Sequence, residues 1–206
     1  MSTNHQGERN ARRACTPILG LILGLILGLC LGACATTDPH APRELLDENN
    51  GETLLVSSEP VVFARERTDV AANARDYLSA LAVREDVNGK YTVWLVVYRW
   101  STVDQRYGGA SGPSARDLHI VADDRSLVLR PLAEAPASLS AEKYLALQAV
   151  EGTPTAYTIA AGELRTIAAA RMLTARYDGD APPLPYRLWT DGRTSMRAWL
   201  EATSHP

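Results

Sequence analysis

An Asn88-Gly89 pair between two strand-like stretches, residues 76–86 and 90–103, constrains this chain more than any other feature. Asn and Gly both tolerate the positive φ of a tight primed turn, so the pair predicts a β-hairpin. The first arm alternates, with Tyr77, Leu81 and Val83 on one side and Ser79 among them. The second arm differs. From Tyr91 to Trp100 it is apolar on both faces, broken only by Thr92 and Arg99. A strand apolar on both faces must be covered on both, which places it at the centre of a layered β domain.

Other segments fit around that hairpin. Residues 53–57 and 61–65 read as short strands separated by Ser58-Glu59-Pro60. Residues 117–122 and 127–132 form a second hairpin around Asp123-Asp124-Arg125-Ser126. Residues 107–114, rich in Gly and Ser, read as a loop, and residues 131–140 as a connector. The last third changes character. After a strand at 157–159, Leu164, Ile167, Ala168 and Met172 recur at near-helical spacing, predicting an amphipathic helix over 162–172. Strands at 173–177 and 186–189 follow, and Met196, Trp199 and Leu200 mark a closing helix. The expectation is a mainly β, antiparallel, sandwich-like domain with one or two short helices in its C-terminal third.

The amino terminus is of another kind. Arg9, Arg12 and Arg13 precede residues 17–33, which carry no charge. Positive charge followed by a short apolar run is the pattern of an export signal. Gly20, Gly24, Gly28 and Gly32 recur every four residues, so a retained helix with a small-residue dimer face is the competing reading. The run ends in Leu31-Gly32-Ala33-Cys34, which resembles the lipobox of bacterial lipoproteins. Cys30 follows the bulky Leu29 and Cys15 precedes the run, so neither fits the place of the modified cysteine.

That resemblance implies cleavage of residues 1–33 as a signal peptide and acylation of Cys34. Residues 34–51 then form a lipidated tether, with a helical turn at 43–48, and residues 52–206 a single β domain. Ala35, Thr36 and Thr37 lack the aspartate that marks inner-membrane retention in many Gram-negative lipoproteins, so the implied address is the outer membrane, facing the periplasm. A single acyl chain binds a membrane only marginally, whereas several on one cysteine hold firmly. Cys15 and Cys30 would leave with the leader, so no intrachain disulfide or cysteine metal site is expected.

Chemistry is sparse elsewhere. Acids and arginines are dispersed along a chain of net charge −3, with no basic stripe to suggest nucleic acid. His40, His119 and His205 lack the close spacing of a zinc helix. Asp117 and His119 alternate on one strand, which the exposed face of a sheet explains more simply than a catalytic dyad. Gly109-Ala110-Ser111-Gly112-Pro113 has proline where a nucleophile elbow has glycine. Asp123-Asp124 and Glu85-Asp86 sit at turns, where Asp is favoured.

One binding feature stands out. Trp94, Tyr98 and Trp100 share a face of the long strand, as core or as an open platform for a glycan, peptidoglycan fragment or lipid. The expectation is therefore a non-enzymatic, cofactor-free accessory or envelope-maintenance module with an envelope protein as partner. A ligand-binding module using that aromatic face is the alternative, and a hydrolase with dispersed carboxylates the third reading.

Overall fold

A computed structural model describes residues 38–47, 51–102, 116–133, 154–180 and 184–204. The leader with Cys34, the 107–114 loop and His205 lie outside them. The fold is mainly β and antiparallel, with two helices late in the chain. Its strands are β1 (Arg43–Asp47), β2 (Glu52–Val56), β3 (Val61–Glu66), β4 (Arg75–Val87), β5 (Lys90–Ser101), β6 (Leu118–Ala122), β7 (Arg125–Leu129), β8 (Pro154–Thr158), β9 (Leu173–Tyr177) and β10 (Tyr186–Thr190). Helix α1 covers Ala161–Ala169 and α2 covers Arg193–Thr203.

The predicted hairpin is β4–β5, paired without a break from Asp76↔Ser101 to Val87↔Lys90. Asn88 (φ 54°) and Gly89 (φ 79°) make the turn, and the Gly89 N–H donates to Asp86 Oδ1 at 2.8 Å. The opposite edge of β4 is shared. β3 pairs with residues 75–80 and β2 with residues 83–86. Between them Ser57 takes over the ladder: its N–H donates to the Ala82 carbonyl, and its hydroxyl accepts from the Ala82 N–H.

Pairing then runs β8–β5–β4–β3–β10–β9–β6–β7. Just past β7, Pro131 bridges to Tyr157 of β8, and the Leu132 N–H donates to the Ala156 carbonyl at 2.8 Å. Those two contacts join the ends of the path. The two layers are thus opposing walls of one sheet closed into a ring, with the β1–β2 hairpin lying outside it. A ring of this size is filled by its own side chains. Phe63, Leu78, Leu95, Val97, Ile120, Leu129 and Tyr157 fill it, all under 3 % exposed.

Part of the expected tether belongs to the domain. Arg43–Asp47 is a strand on β2, not a helical turn, because Leu45 pairs with Leu54 and packs on its cluster. Helix α1 also stops early. Ala170 turns to an extended conformation (ψ 144°), and the next two N–H groups donate to the Asp123 carboxylate. Met172, expected on the apolar face of that helix, is consequently 71 % exposed.

The helices close one end of the ring. They follow β8 and β10 and bury Leu164, Ile167, Met196 and Trp199 in the main core. Trp199 Nε1 donates to the Leu55 carbonyl at 2.8 Å, so its single polar atom is satisfied. Gly192 caps α2 because nothing larger fits there: an added Cβ would lie 2.2 Å from the Pro60 carbonyl oxygen.

Candidate functional site

Four places gather side chains capable of recognition or chemistry. The first is the predicted aromatic stripe. Trp94, Tyr98 and Trp100 do share the outer face of β5, but Trp94 is 5 % and Tyr98 1 % exposed. Both belong to a second apolar cluster with Leu54, Val56, Leu81 and Val83, so these two are core rather than platform. Trp100 leaves the stripe sideways. It stacks on Tyr77 of β4 with centroids 3.9 Å apart and planes 7° from parallel, and its Nε1 donates to Ser79 Oγ.

The aromatic row at the surface therefore crosses strands. From Trp100 it passes to Tyr77, whose ring meets Trp189 of β10 edge-on at 6.1 Å. Between them β3 offers only Val62 and Ala64 on this face, which leaves room for the rings. Trp189 is 56 % exposed, and the Arg75 guanidinium lies 4.9 Å from its ring centroid. Arg75 Nη2 also reaches Glu66 Oε1 at 3.4 Å. Sequence reading missed this row because Trp189, Tyr77 and Trp100 become neighbours only through sheet register.

The third place is the end of the ring opposite the helices, where apolar packing gives way to charge. Arg65 and Asp76 are register partners on β3 and β4, 6 % and 2 % exposed. Arg65 donates to Asp76 Oδ2 at 2.9 Å and to Asp180 Oδ2 at 2.8 Å. Arg67 reaches Asp76 Oδ2 at 3.2 Å, and Arg116 reaches Asp180 Oδ1 at 3.0 Å. Arg65 lies over the Tyr186 ring and Arg116 over the Tyr177 ring. Burial opposes the Asp76 charge, but hydrogen bonds from Arg65, Ser101 and Arg67 outweigh it and hold the carboxyl below its ordinary 3.8. Burial pushes the Tyr157 hydroxyl up to about 12 and raises those of Tyr177 and Tyr186. Asp76 stays ionised and the tyrosines stay neutral near pH 7. The charged groups hold one another, while Arg65 Nε and the Tyr186 hydroxyl are buried with no hydrogen-bond partner among the described residues.

The fourth place joins distant parts of the chain. Ser195, fully buried near the start of α2, accepts a hydrogen bond from the Ser58 hydroxyl at 3.0 Å and donates to Glu59 Oε2 at 3.3 Å. His40 Nδ1 lies 3.2 Å from Ser195 Oγ and 3.4 Å from Glu59 Oε2. The residue types are those of a hydrolytic triad, but the geometry is not. Serine and carboxylate meet the same imidazole nitrogen, whereas a relay uses opposite nitrogens. The cluster is a clasp that fastens the first described residues to the loop between β2 and β3.

His119 and Asp123, also singled out, have structural partners. His119 Nε2 contacts Asp178 Oδ1 at 2.7 Å instead of Asp117, so the alternating pair forms no dyad. Asp123 (φ 55°) accepts from the Arg171 and Met172 N–H groups, which lower its carboxyl, and ties the β6–β7 turn to the start of β9. Comparison with known proteins returned no matching family, no similar characterised protein and no similar solved structure.

Proposed function

We propose that this chain is a lipoprotein of the bacterial outer membrane, held through acylated Cys34, with its β domain facing the periplasm as a non-enzymatic accessory module that works through protein contacts. The observation that carries the reading is Leu31-Gly32-Ala33-Cys34 at the end of an uncharged run that follows Arg9, Arg12 and Arg13. Two features of the domain support it. The acids that converge, Asp76 and Asp180, are each held by two arginines, leaving neither placed for acid–base chemistry. The predicted ligand stripe has two of its three rings in the core.

Mass spectrometry of the cellular protein tests the anchor. The expected species begins at Cys34 and carries acyl chains. In fractionation, Cys34→Ser should abolish acylation and cleavage at that position. A chain still beginning at Met1 with a free thiol in the wild type would sink the reading.

A further inference from the structure

We infer that the surface around Trp189 rests on the phospholipid bilayer that holds the lipid anchor, with the indole and the Arg75 and Arg187 guanidinium groups in the headgroup layer. The inference depends on acylation of Cys34 and adds to it a fixed orientation of the domain.

Position is the first argument. His40 is clasped to Glu59 and Ser195. Glu59 leads into Pro60, whose carbonyl packs against Gly192, and Trp189 is three residues before that glycine. The point where the chain enters the domain is therefore beside one edge of the aromatic row. Six residue steps separate Cys34 from His40. A fully extended chain advances at most about 3.6 Å per residue, so the clasp stands within roughly 20 Å of an acylated cysteine. A tether of that reach keeps the clasp near the acylated cysteine, and the aromatic row is an exposed apolar surface beside it.

Chemistry is the second argument. Indole pairs an apolar ring with one N–H donor and favours the boundary between acyl chains and headgroups, where arginine finds phosphate. Trp189 is among the most exposed large apolar side chains of the described residues. Arg75 lies over its ring, and Arg187, two residues before it on the same face of β10, is exposed. Around Trp189, Glu66 lies 3.4 Å from Arg75 and Asp191 pairs with Arg193, so among the described residues Arg187 is the cation left without a carboxylate against it. An anionic phospholipid surface complements it. A sugar would stack on open aromatic faces, but here Arg75 covers a face of Trp189 and Trp100 covers a face of Tyr77.

The test uses the full chain purified from membranes and returned to vesicles of phosphatidylethanolamine and phosphatidylglycerol brominated near the headgroup end of the acyl chains. Trp189→Phe, which removes one exposed indole, isolates its share of the fluorescence. The wild type should lose emission in brominated vesicles that Trp189→Phe does not lose, and that share should be shielded from acrylamide. Arg75→Ala/Arg187→Ala, or vesicles lacking phosphatidylglycerol, should reduce the quenching by half or more. Equal bromine quenching of wild type and Trp189→Phe, with Trp189 open to acrylamide, overturns the inference. So does shielding that appears only on adding peptidoglycan fragments, which would make the row a glycan site. Mass spectrometry of the same sample separates the failures: acylated Cys34 with unquenched Trp189 removes the membrane contact alone, whereas an unmodified thiol removes the anchor as well.

Discussion

The two ends of the ring are closed by opposite means. At one end Trp199, Met196, Leu164 and Ile167 fill the opening with hydrocarbon, and the one buried N–H is met by the Leu55 carbonyl. At the other, Arg65, Asp76, Asp180 and Arg116 fill it with ions held at 2.8–3.0 Å. The apolar plug is stabilised by removing surface from water, a term without strong directional demands. The ionic plug must recover the cost of desolvating each charge through geometry, so losing one partner harms more than losing both. One end answers to volume and the other to pairing.

Substitutions can break this contrast. Trp199→Ala should have the largest effect, a loss of about 3–5 kcal/mol from transfer and cavity terms together. Urea denaturation would read it as a lower midpoint. Asp76→Ala should cost somewhat less, about 3 kcal/mol, because buried Arg65 is left with Asp180 as its one carboxylate and Arg67 with the exposed Asp69. The sharper comparison is the double change Arg65→Met/Asp76→Leu, which should recover at least half of that loss. If the double variant is less stable than Asp76→Ala, the ionic end is worth more than its desolvation cost, and the proposed contrast fails.

Gly192→Ala ranks next, at about 1–3 kcal/mol of overpacking strain, because the methyl would meet backbone of Pro60 rather than a movable side chain. Its effect should be absent from Gly162→Ala, where nothing lies within 4 Å. Acid should weaken the ionic end. Asp76 has its carboxyl below 3.8 in the folded chain, so its contribution is present above that pH and is lost as pH falls through the folded value. Stability measured from pH 6 down to 2 should therefore fall more steeply in the wild type than in Arg65→Met/Asp76→Leu. The smallest expected effect is at the hairpin tip. Asp86→Ala removes the exposed acceptor of the Gly89 N–H and should cost about 0.5–1.5 kcal/mol.

Legibility followed the range of the interactions. Asn88-Gly89 and the apolar run from Tyr91 to Trp100 act locally, and both appear where the patterning puts them. The closing helix is legible for the same reason: Met196, Trp199 and Leu200 share one buried face. Features made by pairing were not. Arg65 and Asp76 lie eleven residues apart and look like ordinary strand-end charges until register sets them opposite one another. His40 and Ser195 are separated by 155 positions, and composition assigned His40 to a free tether. Leu45 and Leu46 are too short an apolar signal to announce β1. Trp189 looked like the end of a minor strand, and only the small Val62 and Ala64 on its neighbour make it part of a row.

The contact between Pro131 and Tyr157 has a consequence for how this domain fails. Elsewhere around the circumference consecutive strands share several register pairs, except for the short β9–β10 match of two. Among the described residues the seam beside β8 rests on a bridge and one neighbouring hydrogen bond, and proline supplies no donor there. Gentle denaturation should unzip the wall at such places first. Once parted, β7 and β8 would present naked backbone edges, the surface through which β proteins trade strands with copies of themselves. While it holds, this slender seam keeps both edges covered.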